Sequence, residues 1–280
     1  MPEAARLVRL DGPEGVRGVP RVPTGTGALV LAGSSGRVDE GRVRLLAEHG
    51  VLAESVRWFG GPGQHAGPWE IPVETFVRRV EALAERCDRV AVVGTSFGAE
   101  AALVTAAVSP RVDVVAAFAP SDVVWAGVAP DGRQTSHWTL GGEPLPFVPF
   151  LAGWVPPDDP PAFRELYRRS READPRRAAA AAVPVERIAE VLLVAGGDDQ
   201  VWPAVSHAEA IVRRREEHGL TTTLVTDPSA GHRVPLPGEP PVAAGMSMRR
   251  GGTPAADRDL GVAAWDALCA VLRVPRGGTR

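Results

Sequence analysis

The sequence contains neither lysine nor asparagine, and all 31 of its basic residues are arginine. That usage is what a GC-rich bacterial genome imposes on a coding sequence. The missing lysine excludes a Walker A loop, a Schiff base and a Ser-Lys dyad. The missing asparagine means that no asparagine orients a catalytic histidine. Cysteine is scarce, with only Cys87 and Cys269. Two thiols make neither a disulfide framework nor a metal site, so both read as buried structural residues. No run approaches the ~20 apolar residues of a membrane span. The formal net charge of −3 supplies no basic field for nucleic acid. Residues 1–6 lack the basic-then-apolar form of a signal peptide, which sets a cytoplasmic location as the expectation.

A length of 280 residues, with 44% hydrophobic and 23% charged, suits one sizeable globular α/β core. Residues 6–22 read as a short antiparallel hairpin around Asp11-Gly12-Pro13. From residue 28 apolar strand runs alternate with helical patterns. Strands are expected at 28–31, 51–57, 89–93, 112–118, 190–195 and 221–226. Helices are expected at 38–49, 73–86, from the turn after the run 89–93 to 108, at 204–218 and at 255–272. This alternation predicts a mostly parallel sheet covered on both faces. It is interrupted at about 119–182, a proline- and aromatic-rich stretch read as an inserted lid ending in an arginine-rich helix at 162–173. The core is then about 24–118 and 183–273, in one domain. A second irregular segment runs over 233–254, and the tail from 275 is expected to fray.

The chemistry concentrates at Gly94-Thr95-Ser96-Phe97-Gly98, directly after a β-branched run and before a helical pattern. A strand, then G-x-S-x-G, then a helix is the nucleophile elbow of the α/β-hydrolase fold. A serine hydroxyl needs a neighbouring base, and the base needs a carboxylate to fix its tautomer. In this fold the partners follow in the order acid, then histidine. The loop after the strand at 190–195 offers Asp198 and Asp199, and the loop after the last strand offers His232. The other histidines fit less well: His49 and His218 lie near helix ends, His207 within a helix, His65 and His137 in loops before the acid. An oxyanion would meet the Phe97 N–H and a second N–H from Ala32-Gly33-Ser34-Ser35-Gly36, where Ser34 is the choice. Glu100 reads either as a buried carboxylate behind the nucleophile or as an ordinary helical residue. Arg164, Arg168, Arg169 and Arg171 read as a solvated face. Trp125, Trp138, Phe147, Phe150 and Trp154 would line an acyl pocket or pack the insertion's own core.

Taken together, Val93-Gly94-Thr95-Ser96-Phe97-Gly98-Ala99-Glu100, Val183-Pro184-Val185-Glu186, Gly196-Gly197-Asp198-Asp199-Gln200-Val201-Trp202-Pro203, Gly231-His232 and Gly251-Gly252-Thr253-Pro254 ahead of Ala264-Trp265 resemble one group. It is the C-terminal hydrolase domain of the acyl-CoA thioesterase / bile acid-CoA:amino acid N-acyltransferase family, especially its bacterial single-domain members, which are similar in fold to dienelactone hydrolases. The resemblance runs from about residue 28 to the last helix. It implies Ser96 as nucleophile, Asp199 as acid and His232 as base. Members with cysteine at the nucleophile position transfer acyl groups, and those with serine are mostly thioester hydrolases. Water is therefore the implied acceptor, a small acyl thioester the implied substrate, and no metal or organic cofactor is implied. The animal enzymes carry an N-terminal β-sandwich, whereas fewer than 30 residues precede the first matching strand here, so features supplied by that domain do not carry over. The rival expectations are a carboxylesterase, lactonase or acyltransferase on a natural-product intermediate, and an inactive hydrolase fold used for binding.

Overall fold

Eight strands form one sheet in the computed structural model of the chain, which describes residues 5–240 and 246–275. In chain order they are β1 Arg6–Leu10, β2 Gly15–Val19, β3 Thr26–Leu31, β4 Leu52–Val56, β5 Arg89–Thr95, β6 Val114–Phe118, β7 Glu190–Gly196 and β8 Thr223–Asp227. Their spatial order is β1-β2-β4-β3-β5-β6-β7-β8. Every pair from β4 to β8 is parallel. The hairpin of β1 and β2 is antiparallel and joins β4 antiparallel.

Parallel strands covered on both faces must be apolar on both sides. Leu29, Val92, Val115 and Leu193 accordingly face one core, while Val30, Val93, Ala116 and Val194 face the other. Helices α2 Glu74–Ala84, α3 Phe97–Val108 and α6 Ala204–Glu217 cover the first face. Helices α1 Glu40–Glu48 and α7 Pro254–Leu272 cover the second. The starts follow local capping chemistry: Asp39 accepts from Arg42 N ahead of α1, and Thr253 accepts from Ala256 N ahead of α7, with Pro254 in its first turn. Cys269 is buried in the second core and Cys87 is half-buried beside the first. Residues 241–245 of the second irregular segment, and the tail from 276, lie outside the described residues.

The insertion between β6 and β7 is built of short strands, helix α4 Arg164–Ala173 and helix α5 Pro175–Ala180. Its strand Trp138–Leu140 pairs with Ile71–Pro72, so it is stitched to the core. Trp125 and Trp138 pack inward. Trp138 lies 5.3 Å from Trp58 and 5.8 Å from Phe76, and Trp125 meets Tyr167 edge-on at 4.7 Å. Glu100 on α3, fully buried, receives Trp125 N, His137 Nδ1 and Trp138 Nε1 on one oxygen, so the carboxylate behind the elbow clamps the insertion. The arginine helix is only partly a solvated face. Arg168 pairs with Glu165 and Glu172 at the surface, but Arg171 turns inward onto Asp122.

Candidate active site

The turn from β5 to α3 carries Ser96 at φ 58 and ψ −124, a region that L residues rarely adopt. Three backbone hydrogen bonds hold it there: Ser96 N donates to Phe118 O at 2.9 Å, and Ser96 O accepts from Ala99 N at 2.8 Å and Glu100 N at 3.1 Å. Both flanking glycines are sterically required. A Cβ at Gly94 would lie 2.0 Å from Gly98 O, and one at Gly98 would lie 2.3 Å from Leu31 O. Phe97 opens α3, so its N–H belongs to the helix end whose donors have no intrahelical partner. The loop after β3 runs alongside, where a Cβ at Gly33 would come 3.1 Å from Ser96 Cβ. Ser34 lies in that loop.

The two candidate acids have separate partners. Asp199, buried, accepts from His232 Nδ1 on Oδ2 at 2.7 Å and from Val201 N on Oδ1 at 2.8 Å. Asp198 accepts from Gln200 Nε2 at 2.6 Å and from Gly252 N at 2.8 Å. Donation from Nδ1 to a carboxylate leaves a lone pair on Nε2 of the neutral imidazole. A cavity of about 670 Å³ is lined by Ser96, His232 and Ser34 together. Among the described residues no hydrogen bond joins the Ser96 hydroxyl to His232. Catalytic contacts are often long without substrate and tighten when it binds.

The cavity's walls come from the loop after β3, from the start of α1 and from residues around His232 and Arg250. No described residue of the insertion lines it. Within the insertion at 119–182, Trp138 packs on the core through Trp58 and Phe76.

The family described as BAAT / Acyl-CoA thioester hydrolase C terminal matches residues 74–273. The chain belongs to that family. Its solved structural relatives agree on the architecture. An acylaminoacyl peptidase from Pyrococcus horikoshii superposes with a TM-score of 0.59 at 9% identity, over 99% of this chain and 43% of that one. A candidate dienelactone hydrolase from Klebsiella pneumoniae subsp. pneumoniae MGH 78578 gives 0.56 at 12% identity, over 97% and 99%. A thermophilic esterase from the Planctomycetes species Thermogutta terrifontis gives 0.54 at 12% identity, over 99% and 95%. At such identities the likeness is one of fold, and that fold is α/β-hydrolase. No curated protein matches the sequence. Among the described residues no helix is long and apolar enough to cross a membrane.

Within the region matched to the BAAT / acyl-CoA thioester hydrolase family lies a clasp that residue-by-residue reading of the sequence missed. Gly251 and Gly252 have φ 69 and 75. A Cβ on Gly251 would lie 1.6 Å from Asp198 O, and one on Gly252 would lie 2.2 Å from Gly231 N. Beside them, Arg250 O accepts from His232 N at 2.9 Å and from Gln200 N at 3.3 Å. Asp257 on α7 accepts from Gly231 N at 2.7 Å. The acid loop and the histidine loop are thus fastened to one strap. Its sequence signal was the paired glycine ahead of the Thr-Pro helix start. Also missed was the group of Asp122, His207 and Arg171, which joins α4 to α6. Burial raises the Asp122 pKa, but the hydrogen bonds and charges of His207 and Arg171 outweigh burial and hold it well below the usual carboxylate range.

Proposed function

We propose that the chain is a serine hydrolase that cleaves acyl thioesters through an acyl-enzyme. The observation that carries this reading is the 2.7 Å bond from His232 Nδ1 to Asp199, on the wall of a cavity that also contains the elbow serine. The family match supports the thioester as substrate class.

In this reading Ser96 Oγ attacks the acyl carbonyl carbon while His232 Nε2 takes its proton. Asp199 holds the imidazole in the required tautomer and steadies the imidazolium. The oxyanion receives the N–H groups of Phe97 and Ser34. Collapse breaks the carbon–sulfur bond, and the thiol leaves with the proton from His232. Water then attacks the acyl-enzyme by the same route, with His232 again as base, and releases the carboxylic acid.

The test is labelling with a fluorophosphonate, followed by turnover of a butyryl thioester and a butyryl aryl ester. Labelling is expected at Ser96 in the folded protein, with none in Ser96→Ala, and thioester turnover should be abolished in that variant. Near-wild-type turnover by Ser96→Ala would overturn the nucleophile. An aryl ester cleaved while the thioester is spared would replace the thioesterase by a carboxylesterase.

A further inference from the structure

Trp202 sits where the parts of the proposed machinery meet. Its N–H donates to Asp199 Oδ1 at 3.2 Å, beside that of Val201 at 2.8 Å. Its carbonyl accepts from Ala204 N at 2.8 Å, where α6 begins. The side chain is fully buried. Val201 lines the cavity of Ser96 and His232, whereas Trp202 does not. Among the described residues the indole Nε1 finds no acceptor, so packing is what this ring contributes.

Two rings of the machinery rest on the indole. His232 lies 5.9 Å from it at an interplanar angle of 78°. Phe97, whose N–H is the proposed oxyanion donor, lies 5.5 Å from it at 59°. Two more rings back it: Tyr167 of α4 at 5.4 Å and His207 of α6 at 6.1 Å, both edge-on. The backing rings are tied down in turn. His207 pairs with Asp122, and Tyr167 meets Trp125 edge-on at 4.7 Å. The start of α4 also grips the acid loop, with Phe163 N and Arg164 N donating to Gln200 O at 2.9 and 3.1 Å. A rigid ring packed on all these sides has little freedom to turn. That rigidity matters for His232. Its bond to Asp199 fixes one ring nitrogen, and a single hydrogen bond leaves the imidazole free to swing about it. Aiming Nε2 at Ser96 takes a second contact.

We propose that Trp202 is a positioning residue, whose indole sets the imidazole of His232 and the start of α3 at Phe97 against one common surface. The inference rests on the hydrolase reading above and adds to it a side chain outside the cavity lining. Base and oxyanion donor come from separate loops, and both must be placed against the same serine. An error of about 1 Å in such placement costs on the order of 10²-fold in rate.

Trp202→Met removes the ring and fills much of its space with an adaptable chain. Trp202→Phe keeps an aromatic face and lacks the N–H. End-point labelling with a fluorophosphonate counts competent Ser96 sites, so kcat is read per competent site and any loss of folded protein drops out. For a butyryl thioester, Trp202→Met is expected to lower kcat per site by about 10- to 100-fold and to leave KM within about threefold. Trp202→Phe should stay within about threefold of wild type in both. Trp265→Leu removes a ring that packs on His49 in the second core. It should lower the urea midpoint and leave kcat per site unchanged, as a purely structural loss does. A readout without turnover is the low-field proton NMR signal of His232 Nδ1–H, identified by its loss in His232→Gln. It should shift or broaden in Trp202→Met and stay in place in Trp202→Phe and Trp265→Leu. A wild type that neither labels nor turns over would overturn the hydrolase reading, and this signal would then decide the role of Trp202 alone. If circular dichroism shows Trp202→Met unfolded, Tyr167→Leu takes its place, with an expected fall of about threefold or more in kcat per site. An unchanged kcat per site, an unmoved His232 signal, or a Trp202→Phe variant as impaired as Trp202→Met would overturn the proposal.

Discussion

At the acid loop two adjacent carboxylates do different work, and the difference is one of partners. Asp199 faces His232 while Asp198 holds the strap at Gly252. Asparagine at 199 keeps the size but reverses the hydrogen-bonding of one position, favouring the wrong histidine tautomer. Asp199→Asn is therefore expected to lower kcat on the order of 10⁴-fold, as loss of the orienting acid does elsewhere. Asp198→Asn should lower kcat far less and should instead reduce the urea midpoint. Thioester turnover and urea unfolding of the pair check this, and a larger loss of kcat at position 198 would reverse the assignment of the acid. The strap gives a second residue-scale prediction. Gly251 combines φ 69 with a neighbouring carbonyl 1.6 Å from where a Cβ would stand. No rotamer relieves a clash between a Cβ and the backbone, so Gly251→Ala must move the strap. A destabilisation of at least about 2 kcal/mol is expected, by the strain and overpacking routes that produce large effects. A wild-type urea midpoint would mean the strap yields at little cost.

Elements were legible where their period is local. The alternation of apolar runs with helical spacing predicts α6 at 204–218, and the helix spans Ala204–Glu217. It predicts a strand at 190–195, and β7 spans Glu190–Gly196. The elbow was legible because the strand, the two glycines and the helix lie within one short stretch. The insertion was not, since strands of two or three residues are too short to show a period. Its fastenings join residues far apart in the chain: Asp122 and His207 are 85 positions apart. No spacing rule finds such a pair. This fastening has a pH signature. The Asp122 carboxyl is held below its ordinary 3.8 in the folded protein, so the folded state favours its charged form. A depressed pKa contributes stability that is present above the unfolded value and lost as pH falls through the folded one. The junction of α4 and α6 should thus contribute fully at neutral pH and weaken progressively below about pH 4. Asp122→Asn should lower stability at neutral pH and flatten its fall in that acid range. Urea midpoints measured across the range check it, and a parallel fall in wild type and variant would remove Asp122 from the account.

Across the whole molecule, the insertion and the sheet share one apolar core on the face of α2, α3 and α6. Trp125 and Trp138 belong to the same cluster as Leu29, Val92 and Leu193. Glu100 on α3 is buried and satisfied on one oxygen by donors from the insertion alone. Unfolding the insertion alone would expose those rings and strip a buried carboxylate of its donors, and each costs free energy that the remaining fold does not recover. Separate melting of a loosely attached cover is therefore disfavoured, and one cooperative transition is expected. Far-ultraviolet circular dichroism and tryptophan fluorescence should give coincident urea curves. Trp138→Ala should lower stability by about 3–5 kcal/mol, the range for deleting a large buried ring, and should keep a single transition. The rings next to it, Trp58 and Phe76, lie on the core side of the junction, so the cavity opens between the two parts rather than inside either. An early fluorescence step in the wild type, complete before helical signal is lost, would show that the insertion melts on its own. The elbow would then have to stand without the clamp at Glu100.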